Sequence, residues 1–459
     1  MPGSDRPYIW LTFLCLAEIG TMQVFMNYPA ILPLVKEEWH LTASQAGTIF
    51  SAYWVGYLGS VLFLTSLTDT LSPKRIYSLS ALWAMIANLG FAWWAQDFFS
   101  AFVFRALTGI GLAGTYAPGM KLVAERFSEE TRGLAMGIYT SCFSLGASLS
   151  LFLTGVLTPH LSWRGAFLVT SAGPLLGALV GLLILKDRPS ATPRPTRIGP
   201  VRVLRNPQAL LVITAYTGHS WELFGLRAWV VAFLAACLLQ TGISLTSATD
   251  LASRYASAVL LLGAGASLFG GWRSDRWGRG RIILLASLLS SPLTLLLGWT
   301  YSLPFPLVLG LVGLLGIAIM LDSSTLSTAV TEVADPQYVG STLALHSFSG
   351  FLAAAISPAL FGTILDLAGS PTSRWSSLTG WGLAFTSLGL GALVAPLAIY
   401  RLGRSQKLPP SFFPTHRMKS LGQEADGMTE TKDTHRPASR PHTDRPRDAQ
   451  IDEADSLSD

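Results

Sequence analysis

Seven ionisable side chains lie inside stretches too apolar to solvate them: Glu18, Arg105, His219, Glu222, Arg227, Asp322 and His346. Carrying a charge into hydrocarbon costs about 2.5–3.5 kcal/mol on insertion scales, so such residues are the first candidates for function. Glu18 stands about ten residues, or about 15 Å, into the first apolar run. His219 and Glu222 lie at similar depth in the seventh run, three positions apart, which makes them neighbours on one helix face. Arg227 follows about a turn later, and Arg105 occupies the outer third of the fourth run. A carboxyl removed from water favours its protonated form and imidazole changes charge near neutral pH, so His219 with Glu222 forms a candidate proton site. Two other readings stay open: a static network pairing Glu222 with Arg227 or Arg105, and direct contact with a solute. Glu18 reads either as a coupling group or as a satisfied polar side chain.

The elements that must carry these residues follow from composition. Of 459 residues, 50% are hydrophobic and only 13% charged, against about 25% in an average soluble chain. A water-soluble globule is excluded, and the chain reads as an integral membrane protein in a lipid bilayer. Crossing the hydrocarbon layer takes about 20 apolar residues. Twelve runs qualify, at 8–32, 44–67, 75–95, 99–123, 133–157, 164–185, 208–236, 252–271, 281–301, 304–328, 338–363 and 379–400. Backbone groups in lipid must be satisfied internally, so runs of this length are helices. The predicted class is an all-α membrane protein of twelve transmembrane helices in two six-helix bundles.

Short connections such as Lys36–His40 and Ser128–Arg132 separate the runs. Of the 23 Lys and Arg up to Arg401, 17 fall on one face and four (Lys36, Arg164, Arg254, Arg374) on the other. The positive-inside rule then puts both termini in the cytoplasm. The reading divides the chain into a bundle at 1–185, a basic cytoplasmic linker at 186–207, a second bundle at 208–401 and a disordered cytoplasmic tail at 402–459. Basic residues spread over short loops do not point to nucleic acid. Cys15, Cys142 and Cys237 sit in apolar runs and show neither disulfide nor zinc spacing, and no metal or other cofactor is expected. No small-residue cleavage site follows Met1–Tyr8, so a removable signal peptide is not expected.

The halves repeat one another. Thr68-Asp69 ahead of Lys74-Arg75 corresponds to Ser274-Asp275 ahead of Arg279 and Arg281 at an offset of 206. Glu125 matches Glu332, Gly133 matches Gly340 and Gly155 matches Gly362, each at an offset of 207. Such like-oriented repeats are one of the internal symmetries of secondary transporters. The stretch Gly271-Trp-Arg-Ser-Asp275-Arg276-Trp-Gly278-Arg279-Gly280-Arg281, between the eighth and ninth runs, resembles the loop signature of the major facilitator superfamily. Arg105-Ala-Leu-Thr-Gly109-Ile-Gly111 resembles that family's Arg-x-x-x-Gly-x-Gly pattern. The resemblance covers about residues 8–400. It implies two bundles rocking about a central solute cavity, with Arg105 a buried cation shaping the cavity field.

On this reading Asp275, Arg276, Arg279, Arg281 and Glu332 form a charge cluster that bridges helices of both bundles and gates one face. The same arginines also fix topology. The first-half counterpart keeps Asp69, Lys74, Arg75 and Glu125, with Thr65, Ser72 and Pro73 where the family favours Gly, Gly and Arg. Tyr28-Pro29, Pro33 and Ser357-Pro358 should bend their helices. Trp54, Trp221 and Trp229 are candidates for a cavity wall, and Trp93-Trp94 suits interface anchoring. Gly146–Ser150 lacks the Gly-Pro step of many drug/proton antiporters of the superfamily. No phosphate-cradling loop or nucleophile constellation is present, so an ATP-driven pump or an enzyme is not expected. The predicted function is secondary transport of a small solute by alternating access, with proton coupling through Glu222, His219 or Glu18. The alternative is a membrane solute sensor that binds without net transport. No Asn-x-Ser/Thr site occurs at Asn27, Asn88 or Asn206, which favours a bacterial-type inner membrane. A chain holding both bundles is expected to work as a monomer.

Overall fold

Helix starts in this protein are set by local chemistry. Thr42 Oγ1 accepts from the Gln45 amide at 3.1 Å while the Gln45 side chain accepts from the Thr42 amide at 3.0 Å, a reciprocal cap that opens the second span. Asp97 caps the fourth span through the Ser100 amide at 2.8 Å. Its carboxyl is held below the usual range, first by the Ser100 hydroxyl and then by that amide. Ser72 and Asn206 cap helices that open on Pro73 and Pro207, where a missing N–H costs nothing.

The computed structural model describes residues 7–68, 70–185, 203–368, 378–405, 408–409 and 411–413. Asp69, Arg374, most of the linker and the tail from 414 lie outside the described residues. Among the described residues, eleven helical stretches are long and apolar enough to cross a membrane. Pro7–Glu38, Ala43–Leu67, Pro73–Trp94 and Phe98–Arg126 are the first four spans. Glu130–Leu183 is 54 residues long, about 80 Å if straight and far more than one crossing needs. Ser162 leaves helical geometry at φ 61 and divides it into a fifth and a sixth span. Pro207–Leu239, Leu245–Trp277, Arg279–Thr300, Phe305–Val333, Val339–Ala368 and Leu378–Gly403 are the seventh to the twelfth. The chain is a multi-pass, all-α membrane protein whose two groups of six spans pack into one compact unit ending at Phe413.

Several expected boundaries move. The first helix runs through Lys36–Glu38, and Glu129–Arg132 already belong to the fifth-span helix. The eighth reaches Trp277, so Gly271–Trp277 is helix, and the turn into the ninth span is the single residue Gly278 at φ 94. That left-handed value is one glycine adopts without strain. The tail does not begin as free chain at 402. After the helix ends at Gly403, the Arg279 and Gly280 amides donate to the Ser411 and Phe412 carbonyls, each at 3.0 Å, and Phe412 is fully buried. An apolar pair, Phe412-Phe413, outweighs the polar composition around it.

Successive spans alternate in direction, so residues 7, 207, 277 and 403 share what we term the terminal face, and residues 38, 43, 245 and 368 share the far face. The first span is broken just ahead of Tyr28-Pro29, two to three turns before Pro33: Pro7–Thr21 gives way to a 3₁₀ turn at Met22–Val24 before the helix resumes at Asn27. Pro29 has no N–H to offer the Phe25 carbonyl four residues back. Arg105 supplies the missing donors, giving Nη2 to Phe25 O and Nη1 to Val24 O, both at 3.0 Å. Its guanidinium also lies 5.2 Å from the centre of the Tyr53 ring. Gly109, one turn on, lets the second span approach: a Cβ there would collide with the Tyr53 carbonyl.

Truncating Arg105 leaves two buried carbonyls unpaired, at about 1–3 kcal/mol each. Arg105→Ala should therefore lower the unfolding midpoint in detergent by several degrees, with only partial recovery in Arg105→Lys, whose single ammonium cannot reproduce the planar fork. Tryptophan fluorescence against temperature measures this, and an unchanged midpoint would mean the break is satisfied by other donors.

Candidate functional site

Between the two groups of spans, in the half nearer the terminal face, lies a cavity of about 450 Å³. The second span contributes Tyr53, Trp54 and Tyr57, the fourth Tyr116, and the fifth Thr140, Phe143 and Ser144. Facing them are Tyr216, His219, Phe224 and Arg227 of the seventh span, Ser323, Ser324 and Ser327 of the tenth, and Phe351 of the eleventh. Trp54 stacks on Phe351 at 5.1 Å and meets Phe224 edge-on at 4.5 Å. These rings form an aromatic floor contributed by both bundles. Beyond it the bundles close: Ser148 Oγ donates to Ser257 O at 2.9 Å and Ser253 Oγ to Ala30 O at 3.0 Å.

Arg227 is the singular charge of this cavity. It is 7% exposed, its guanidinium lies 5.5 Å from the Phe224 ring centre, and its Nη2 reaches only the Met320 sulfur at 3.8 Å. Its Nε has no partner, and among the described residues no carboxylate lies within ion-pair distance of it. A buried guanidinium facing a cavity without a counter-charge is suited to receive an anion.

The pairing expected within the seventh span does not form. His219 turns to the tenth span, its Nδ1 2.9 Å from Asp322 Oδ1, with both side chains 3% exposed. The contact is an ion pair by distance but off the line of a hydrogen bond, for that oxygen lacks a proper donor. Tyr216 lies between imidazoles, with His346 stacked on it at 3.7 Å and His219 at 6.0 Å. Glu222 points instead to the ninth span, where Thr294 and Ser290 donate to its two oxygens at 2.5 and 2.9 Å. It pairs with neither Arg227 nor Arg105 and does not line the cavity. Three residues along a helix is a 60° turn of azimuth, enough to send the two groups to different neighbours.

Glu18 is fully buried within the first bundle and accepts from Tyr139 at 2.7 Å, Tyr77 at 3.4 Å and Thr21 at 3.5 Å, all on Oε2. Arg105, spent on carbonyls, does not line the cavity either. Among the described residues, the contacts given for the signature cluster lie inside the second bundle. Arg279 meets Asp275 at 2.5 Å and Glu332 at 3.2 Å, and Ser411 donates to the other Glu332 oxygen at 2.9 Å. Arg276 lies over the Trp272 ring at 4.7 Å. Gly271 packs against Ser324. In the first half Lys74 donates to Leu185 O at 3.1 Å, and Lys121 takes the end of the second span through Thr68 O at 2.8 Å. Trp54 is the cavity tryptophan, while Trp93 and Trp94 are exposed at the far end of the third span. Sequence reasoning placed Asp322 at membrane depth without its His219 partner, and it missed Tyr216 and Phe351. A stripe of aromatic residues within apolar helices carries no signal that separates lipid-facing from cavity-facing positions.

A model of the Major Facilitator Superfamily matches residues 14–250. The chain is 25% identical over 373 residues to the probable sulfoacetate transporter SauU of Cupriavidus necator, covering 75% of this chain and 84% of that one. It is 24% identical to the hexuronate transporter of Bacillus subtilis (83% and 93% covered) and 26% identical to the gallate transporter of Pseudomonas putida (88% and 94% covered). Among solved structures, a bacterial homolog of the human lysosomal transporter Spinster, inward-facing and occupied, superposes with a TM-score of 0.73 at 16% identity, over 88% of this chain and 98% of that one. The nucleoside transporter NupG superposes with a TM-score of 0.71 at 12% identity, over 86% and 99%.

The geometry of the cavity predicts which positions meet water. Ser327→Cys, exposed in the cavity, should react with an impermeant maleimide, whereas Ser148→Cys, buried under the aromatic floor, should stay unlabelled. The three native cysteines are buried and give a quiet background. Equal labelling at both positions would contradict the one-sided opening.

Proposed function

This chain belongs to the major facilitator superfamily, and we propose that it is a secondary transporter of a small organic anion, coupled to protons and working by alternating access. The observation that carries this reading is Arg227, a desolvated cation with no counter-charge, facing a cavity of suitable size. The sulfoacetate, hexuronate and gallate of the relatives' names all present a carboxylate or sulfonate, which guanidinium binds with two parallel hydrogen bonds. We assign the terminal face to the cytoplasm of a bacterial-type inner membrane on the Lys and Arg census.

Charge balance supplies the mechanism. Closing the terminal face removes water, and a lone Arg227 in the closed cavity would be heavily penalised. An anion seated on Arg227 cancels that charge. Aromatic rings of both bundles bear on the body of the solute, while the hydroxyls of Tyr57, Tyr116 and Ser324 are placed to meet its polar groups. The His219–Asp322 pair carries one negative charge without a proton and none with it. Together with Arg227 the closed cavity is neutral in two states, empty with the pair unprotonated and loaded with one anion and one proton, and closing only in those two states is symport. Glu222 and Glu18, bonded to hydroxyls away from the cavity, serve their own bundles.

Proteoliposomes supplied with gallate, a hexuronate or sulfoacetate test both parts. Arg227→Gln should weaken binding about 100-fold, as expected when one side of a buried charge pair is removed. Accumulation by Arg227→Gln equal to that of the unaltered protein would end the anion reading. Asp322→Asn should equilibrate the anion across the membrane yet fail to concentrate it against a gradient. Binding without any counterflow in the unaltered protein would turn the reading to a sensor.

A further inference from the structure

The far face is closed by two cross-bundle contacts that the internal repeat makes equivalent, and they are chemically unlike. In one, Gly155 of the fifth span packs against Ser253 of the eighth. In the other, Gly362 of the eleventh span packs against Ala43 at the start of the second, at the repeat offset of 207. One turn beyond Gly362 the eleventh span carries Asp366, and its carboxylate accepts the Ala43 amide at 2.8 Å and the Ser44 amide at 2.7 Å. Ser44 Oγ and Thr363 Oγ1 add a third bond at 2.9 Å.

These amides are the first two of the second-span helix, which its own chain leaves without acceptors. The next is taken by the Thr42 side chain and the fourth by the Thr42 carbonyl. Asp366 thus completes the cap of a helix in the other bundle, placing a full negative charge on the positive end of the helix dipole. At the equivalent position of the fifth span stands Pro159, which has no acceptor to give. The eighth-span helix starts further out and caps itself, Ser244 accepting the Ser247 amide at 3.2 Å. Asp250 there pairs within its own helix, with Arg254 at 2.7 Å. The charged clasp exists on one side only.

We propose that Asp366 is the latch of the far face: it holds the second and eleventh spans together while the cavity is open to the terminal face, and lets go when the bundles tip the other way. Its place at the exposed rim suits repeated release. Water can take over the carboxylate and both amides when the clasp opens, whereas a buried carboxylate would resist opening in every cycle. Among the described residues, the glycine and serine contact of the fifth and eighth spans has only neutral hydrogen bonds to release.

This inference rests on the alternating-access reading but not on the solute. It is tested without solute, in proteoliposomes, with Ser253→Cys as reporter, because Ser253 is fully buried in the far-face closure and becomes reachable only when that face opens. Asp366→Asn should raise the labelling rate by an impermeant maleimide about three- to tenfold, the range expected for charge-assisted bonds at an exposed helix start. Asp250→Asn, at the same rim, should leave the rate unchanged. Where Asp366→Asn does not fold, Ala43→Pro decides: proline is well accepted at the first helical position, Thr42 already has the extended backbone it requires, and one donor is removed. A labelling rate unchanged by loss of the carboxylate, or by Ala43→Pro in its stead, overturns the latch. Either result leaves the anion reading standing, and failed anion uptake leaves the latch standing.

Discussion

The architecture depends on what happens to backbone carbonyls where a helix breaks in a place without water. The first span breaks after Val24, and the bare carbonyls of Val24 and Phe25 are met by Arg105 from the fourth span. That arrangement fixes the first and fourth spans to each other, sets Tyr53 against the guanidinium, and brings the second span close enough for Gly109 to be required. The cavity wall made by Tyr53, Trp54 and Tyr57 is therefore built on an arginine that the cavity never touches. Arg227 presents the opposite case. It occupies an equally dry position, but its neighbours are a phenyl ring and a thioether. One guanidinium is consumed by the fold, and the other faces the cavity without a counter-charge among the described residues.

The two bundles repeat each other in path but not in chemistry. Each buries a glutamate among hydroxyls, Glu18 with tyrosines and Glu222 with Ser290 and Thr294. Only the second adds a His–Asp pair facing the cavity. In the second half Asp275, Arg279 and Glu332 form a relay, and in the first half Lys74 and Lys121 donate to helix-end carbonyls. The first bundle supplies most of the aromatic wall, and the second supplies the charge.

Much of this was legible in the residues. Hydropathy alone locates the spans, because the bilayer imposes a length, and the offset of 207 between Gly155 and Gly362 marks them as equivalent positions of the repeat. Azimuth was not legible. His219 and Glu222 are three residues apart and read as partners, yet each answers to a different neighbouring helix, and helices hydrophobic on every side give no period from which to read facing. Boundaries failed where polar residues are helical: Gly271–Trp277 looks like a loop because it is charged, but its arginines lie over tryptophan rings at the membrane edge. Phe412-Phe413 was lost within a stretch whose average composition is polar. Averages conceal a two-residue plug.

That plug bears on how the protein is made. The first amides of the ninth span receive their acceptors from Ser411 and Phe412, and Phe412 fills the floor beneath Ile283 and Val330. On a ribosome those residues are made after all twelve spans. Until then the second bundle is inserted but unfinished, with naked donors and an empty socket at its surface. A chain that ends just after the last crossing therefore lacks both acceptors and the buried ring of Phe412.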